Sequence, residues 1–180
     1  MVKIPGDPEP YQERQKEKRR ERRRKRNLSH IDESEMVRPA KDFLEGHLIN
    51  PEEIVGWFEE PKVIIRSRKS NETASKVWEN PDLICEADAG GTPVFYVIEL
   101  KKVLGKKSVG QALMYKWAID SGLNIGAGED PIEIPDEAIV CSVICYLKPS
   151  QEYYRDFIKW IANMQELSGL FFAFQIPFER

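Results

Sequence analysis

The segment "NPDLICEADAGGTPVFYVIELKK", residues 80–102, narrows the possible folds more than any other part of the chain. Two alternating apolar and polar runs flank Gly90-Gly91. A glycine pair in that setting predicts a two-residue primed hairpin turn, because both central positions can take positive φ without a Cβ penalty. With Ala89 and Thr92 flanking the turn, the register places Asp82 opposite Glu99 and Glu86 opposite Phe95. Lys101, two residues beyond Glu99, falls on the same face of the strand. The other face reads Leu83, Cys85 and Ala87 against Val94, Tyr96, Ile98 and Leu100, and is expected to be core. Directly opposed Cβ atoms lie about 4.5–5.5 Å apart, and like charges so placed are destabilising. A hard divalent cation would relieve that repulsion, and Mg²⁺, which keeps its waters and takes only one or two carboxylates, suits the set. Asp82, Glu99 and the backbone carbonyl of Leu100 are the expected ligands of Mg²⁺, with Mn²⁺ as a substitute. Lys101 is then placed to position water or meet developing negative charge. The ordinary alternative is a surface hairpin whose Glu99 and Lys101 simply face solvent.

With 180 residues, the chain has room for one compact domain and a tail but not for two full domains. No apolar run is long enough to span a bilayer, and the N-terminus has no apolar core of a secretory signal, so an intracellular protein without membrane association is expected. Charge is divided unevenly. Residues 1–30 hold eleven Lys/Arg and five Asp/Glu, a net +6, and the remaining sixteen Lys/Arg and twenty-five Asp/Glu leave a net −9 on residues 31–180. The run "RQKEKRRERRRKR" contains no apolar residue and cannot build a core. It reads as a basic N-terminal arm, residues 1–30, in which Arg19, Arg20, Arg22, Arg23, Arg24, Lys25 and Arg26 would contact nucleic-acid phosphates. A solubilising tail or an address signal would have the same composition. Cys85, Cys141 and Cys145 lie in apolar surroundings without metal-site spacing, so they are expected as buried reduced thiols. His30 and His47 likewise have no metal-spaced partner.

Beyond the arm, "DESEMVRPAKDFLEGHL" carries helical apolar spacing around Phe43, Leu44 and Leu48, and "NPEE" predicts a second short helix. "KVIIRSR" predicts a strand, followed by the two hairpin strands, and "SVGQALMYKWAIDSG" predicts an amphipathic helix. "GLNIGAGEDPIEIPDE" is turn-rich and has no assigned element. "EAIVCSVICYL" reads as a central strand, the segment after Ser150 as a helix, and "LFFAFQI" as a closing strand. The predicted fold class is α/β, a mixed central β-sheet flanked by α-helices over residues 31–180.

Pro81-Asp82, followed by Glu99-Leu100-Lys101, resembles the signature of the PD-(D/E)XK, or restriction-endonuclease-like, nucleases. Gln111 and Tyr115 match the QxxxY element of the RecB-like branch, and their i, i+4 spacing puts both on one helical face. The predicted element order also resembles that family's αβββαβ core, so the likeness covers about residues 35–176. The resemblance implies a metal-dependent nuclease acting on DNA phosphodiester bonds, with Asp82, Glu99, Lys101, Gln111 and Tyr115 as catalytic residues. Gln111 and Tyr115 would orient Lys101 or a phosphate. Many members add an acidic residue from the first helix. Glu33, Glu35, Glu45, Glu52 and Glu53 are available here, with Glu45 or Glu35 expected to fill the role. Lys102, Lys106 and Lys107 would add contacts to DNA. The alternatives are an inactive nucleic-acid-binding or assembly protein on the same fold, and a dimeric Holliday-junction-resolvase-like enzyme with "LFFAFQIPF" at a homodimer interface.

Overall fold

The structure, a computed structural model, describes residues 31–65, 80–121, 131–151, 153–164 and 170–177. The chain divides into Met1–Asp32 and Glu33–Arg180. The basic run, with Arg19, Arg20, Arg22, Arg23, Arg24, Lys25 and Arg26, lies outside the described residues.

A 3-10 turn, Glu33–Met36, leads into α1, Val37–His47, which buries Ala40 and Leu44. Pro39 sits in the first turn, where a helix needs no backbone donor. The helix expected from "NPEE" is only one 3-10 turn, Pro51–Glu53, capped by the Asn50 side chain accepting from the Glu52 N–H at 3.2 Å. The β-branched and aromatic residues that follow suit a pleated, half-buried surface better than a helix. They form β1, Ile54–Glu59. The other strands are β2 (Lys62–Ile65), β3 (Leu83–Asp88), β4 (Pro93–Leu104), β5 (Pro131–Ile134), β6 (Ile139–Pro149) and β7 (Phe171–Gln175). Two further helices, α2 (Lys106–Asp120) and α3 (Tyr153–Ala162), complete the described elements.

The main sheet has the order β1-β3-β4-β6-β7. Its β1–β3 and β3–β4 pairs are antiparallel, and its β4–β6 and β6–β7 pairs are parallel. The protein is therefore an α/β protein with a mixed five-stranded sheet flanked by helices. "KVII" does form a strand, but β2 pairs in parallel with β5 in a separate two-stranded sheet, and β1 takes the place beside the hairpin. The stretch "LFFAFQIPF", weighed as an interface, contains edge strand β7, with Phe171 buried. No helix among the described residues is long and apolar enough to cross a membrane.

The sheet is buried on both faces, which the single-core expectation for the hairpin did not include. Ile84, Phe95 and Val97, on the face of Asp82 and Glu99, pack with Tyr115, Ala118 and Ile119 of α2 and with Val63, Ile132 and Ile134 of the small sheet. Farther along the sheet, Leu104, Ile144, Tyr146 and Phe171 pack with Val109 and Ala112 of α2 and Ile158 and Ile161 of α3. The Ser142 hydroxyl, fully buried, donates to the Ala112 carbonyl at 2.9 Å and ties α2 to β6. On the other face Phe43 of α1 meets the ring of Phe174 with centroids 5.6 Å apart. Cys85, Cys141 and Cys145 are free and buried, and burial pushes their thiols up to about 12, 11 and 12 respectively, so none carries a thiolate near neutral pH.

Candidate active site

Register builds the site. Gly90 and Gly91 have φ of 67° and 91°, as a primed turn requires, and the Ala89 N–H donates to the Thr92 carbonyl at 3.0 Å. Leu83 pairs with Ile98 and Glu86 with Phe95, so the next position back along the chain, Asp82, stands opposite Glu99. Strand β3 begins at Leu83, whereas β4 continues to Leu104. The Asp82 carboxylate takes over from the ladder at that point, with Oδ2 accepting from the Leu100 N–H at 2.7 Å. The N–H and C=O of one strand residue point toward the same neighbour. The Leu100 carbonyl therefore faces the Asp82 side, where a metal-ligand role requires it.

Lys101 lies among three carboxylates. Its Nζ is 2.7 Å from Glu99 Oε1, 3.5 Å from Glu33 Oε2 and 3.6 Å from Asp82 Oδ2. Glu99 is 1% exposed, and its Oε2 is buried with no hydrogen-bond partner. Burial, and then the Asp82 charge, push the Glu99 carboxyl up to about 7 despite the lysine beside it. Burial raises Asp82 as well, against the pull of Lys101 and the Leu100 N–H. For Lys101, burial acts to lower the pKa, but the hydrogen bond to Glu99 and the surrounding carboxylates outweigh it and raise the group. One ammonium cannot balance three ionised carboxylates, so the cluster has either to hold a proton, for which burial and the Asp82 charge favour Glu99, or to gain another cation.

The acidic residue that the N-terminal helical segment brings to Lys101 is Glu33, in the 3-10 turn before α1. Glu45, one of the two expected, accepts from Trp57 Nε1 at 3.0 Å and adds its charge to the surroundings of Cys85, whose side chain points to the opposite face of the sheet. Glu35 is exposed in the same turn as Glu33. Glu52 and Glu53 belong to the turn before β1. Nothing in the local sequence separates Glu33 from the other four, because the docking of a distant turn makes the choice.

Gln111 and Tyr115 lie on the face of α2 turned to the sheet, with Gln111 Oε1 shielded from solvent and Tyr115 1% exposed. The Tyr115 hydroxyl donates to the Asn80 carbonyl at 2.9 Å. That bond fixes the chain two residues before Asp82. Lys102 follows Lys101 in β4 and points to the other face of the sheet. Lys106 and Lys107 are exposed in the first turn of α2, which has no acidic residue.

Among the described residues no three His, Cys, Asp or Glu side chains stand close enough to close on one metal ion. Asp82, Glu99 and Glu33 surround Lys101 rather than one another. The donor set nevertheless fits Mg²⁺, which needs one or two carboxylates and supplies the rest of its shell as water. The orphaned Glu99 Oε2 is a buried acceptor of the kind such an ion satisfies. Compared with protein-family models, curated proteins and solved structures, the chain finds no match.

Proposed function

We propose that this protein is a metal-dependent nuclease that hydrolyses DNA phosphodiester bonds, most simply an endonuclease, with a core of the PD-(D/E)XK type. The observation that carries the reading is the meeting of Asp82, Glu99 and Lys101 at one strand end with a buried Glu99 oxygen left unbonded. Asp82, Glu99 and the Leu100 carbonyl would hold Mg²⁺ or Mn²⁺, with Glu33 as a further carboxylate. The ion would polarise a phosphoryl oxygen and acidify water.

The remaining work falls to the chain itself. Asp82, braced by the Leu100 N–H, keeps one carboxylate oxygen fixed and presents the other. Lys101 brings an ammonium, four-fifths buried, to the place where charge develops on the phosphoryl group, and partial burial strengthens that interaction. Lys106 and Lys107 add cations at a helix N-terminus, where backbone N–H groups and the helix dipole already favour an anion, and so supply phosphate contacts. Core packing across Ile84, Phe95, Val97 and Tyr115 keeps this constellation rigid.

A second reading has one observation in its favour: Lys101 already bridges the carboxylates, as in a structural ion cluster. On that reading the protein binds or organises nucleic acid without cutting it. Incubation with linear, circular, single-stranded and branched DNA, with Mg²⁺, Mn²⁺ or EDTA, separates the two. Metal-dependent cleavage lost in both Lys101→Ala and Asp82→Ala is the expected result. Tight binding with no cleavage of any substrate by the parent protein would sink the nuclease reading in favour of the second.

A further inference from the structure

We infer that Tyr115, Asn80 and the backbone of Glu60 form a clamp that positions Asp82 and thereby sets the affinity of the site for its metal. The inference rests on the metal-site reading above. It concerns residues that touch neither metal nor substrate, so they are positioning residues.

Asp82 needs such a clamp because of where it lies. It falls one residue before the first residue of β3 and follows Pro81, which has no N–H to donate. The ladder therefore does not hold the Asn80–Asp82 backbone. Other hydrogen bonds do so from two sides. The Tyr115 hydroxyl donates to the Asn80 carbonyl at 2.9 Å, the Asn80 side-chain amide donates to the Glu60 carbonyl at 3.1 Å, and the Glu60 N–H donates to the Asp82 carbonyl at 3.0 Å.

Glu60 adopts φ 47°, the one left-handed non-glycine residue among the described positions. A residue with a Cβ rarely takes this conformation unless its surroundings hold it there. Here both its N–H and its C=O are engaged by the same three-residue segment. Tyr115 anchors the clamp from the other side, since its ring is packed among Ile84, Phe95 and Val97. The clamp joins the rigid core to the only backbone that carries Asp82.

Partners that orient a metal ligand commonly matter by about 10–100-fold in metal affinity or activity when removed. In the full-length protein, Tyr115→Phe and Asn80→Ala are each expected to weaken Mn²⁺ binding about tenfold by calorimetry. The Mn²⁺ concentration for half-maximal DNA cleavage should rise with it, while turnover at saturating metal falls less. In metal-free protein both variants should speed amide hydrogen exchange at Leu100, whose N–H bonds the Asp82 carboxylate, and at Glu60.

Gly91→Ala, which strains the far end of the hairpin, is the control for general loss of stability. It should bind Mn²⁺ as the parent does. Parent-like Mn²⁺ affinity in both Tyr115→Phe and Asn80→Ala would overturn the clamp while leaving the nuclease reading intact. Equal weakening in Gly91→Ala would also overturn it, because instability alone would then explain the loss. A parent protein that takes up no Mn²⁺, even with exchange at Leu100 still responding to Tyr115→Phe, would overturn the metal site and the inference together.

Discussion

At the scale of single residues, the chemistry turns on how the cluster around Lys101 disposes of its surplus negative charge. Glu99 is raised from its ordinary 4.5 to about 7 by burial and by Asp82. Between those two values the unfolded chain has released the Glu99 proton and the folded protein still holds it. Folding then takes up protons, so the metal-free protein is expected to lose stability as pH rises from about 4.5 to about 7, with no further loss from this group above that. Glu99→Gln keeps the shape and removes the charge. In urea unfolding at pH 8 with EDTA it should be more stable than the parent by about 1–3 kcal/mol, and the pH dependence should flatten. Lys101→Met has the opposite effect, since it leaves buried carboxylates without a counter-charge and should cost about 3–5 kcal/mol in EDTA. Saturating Mg²⁺ should recover more stability in Lys101→Met than in the parent, because the ion and the lysine relieve the same repulsion. An equal Mg²⁺ response in both proteins would show that the ion binds elsewhere.

At the scale of elements, what the sequence made legible divides along the line between local and tertiary control. The hairpin register was readable because Gly90-Gly91 fixes it, and the ladder from Leu83–Ile98 to Asp88–Pro93 follows the predicted pairing. Asp82, Glu99 and Lys101 were readable with it, since alternation and a turn are enough to put them together. No Cβ at Gly91 would meet an atom within 4 Å, so any cost of Gly91→Ala comes from its φ of 91° rather than from a clash. That cost should be about 1–2 kcal/mol by denaturant unfolding. A neutral result would mean that register is set by the apolar faces and not by the turn. Strand β1 was not readable, because Asn50 does cap a turn and local signals alone cannot tell one turn of 3-10 from the start of an α-helix. The pairing of "KVII" with residues 131–134, over sixty positions away, left no mark in either segment. Glu33 and the bond from Tyr115 to Asn80 were hidden for the same reason, as each depends on elements brought together by the whole fold.

At the scale of the whole molecule, the division of charge creates a problem for any nuclease. Residues 31–180 carry a net −9, and a body of that charge is repelled by DNA at long range. Lys106 and Lys107 act only near contact, because salt screens their field beyond about 8–10 Å. The basic arm is the one part of the sequence with enough cations to reverse the repulsion, and it offers Arg19, Arg20, Arg22, Arg23, Arg24, Lys25 and Arg26 within eight positions. If the arm supplies phosphate contacts, each cation that neutralises a phosphate releases counterions and steepens the fall of affinity with salt by about 0.9 in the log–log slope for duplex DNA. Replacing all seven with Gln in the full chain, and measuring binding of duplex DNA by fluorescence anisotropy across a salt series in EDTA, reads that slope directly. The expected outcome is weaker binding, with a slope shallower by several units and up to about 6 if every cation is engaged. Cleavage at saturating enzyme and Mg²⁺ should persist in this variant, since Asp82, Glu99 and Lys101 belong to Glu33–Arg180. An unchanged slope would remove the arm from DNA binding and leave the acidic domain to overcome the repulsion through its own lysines.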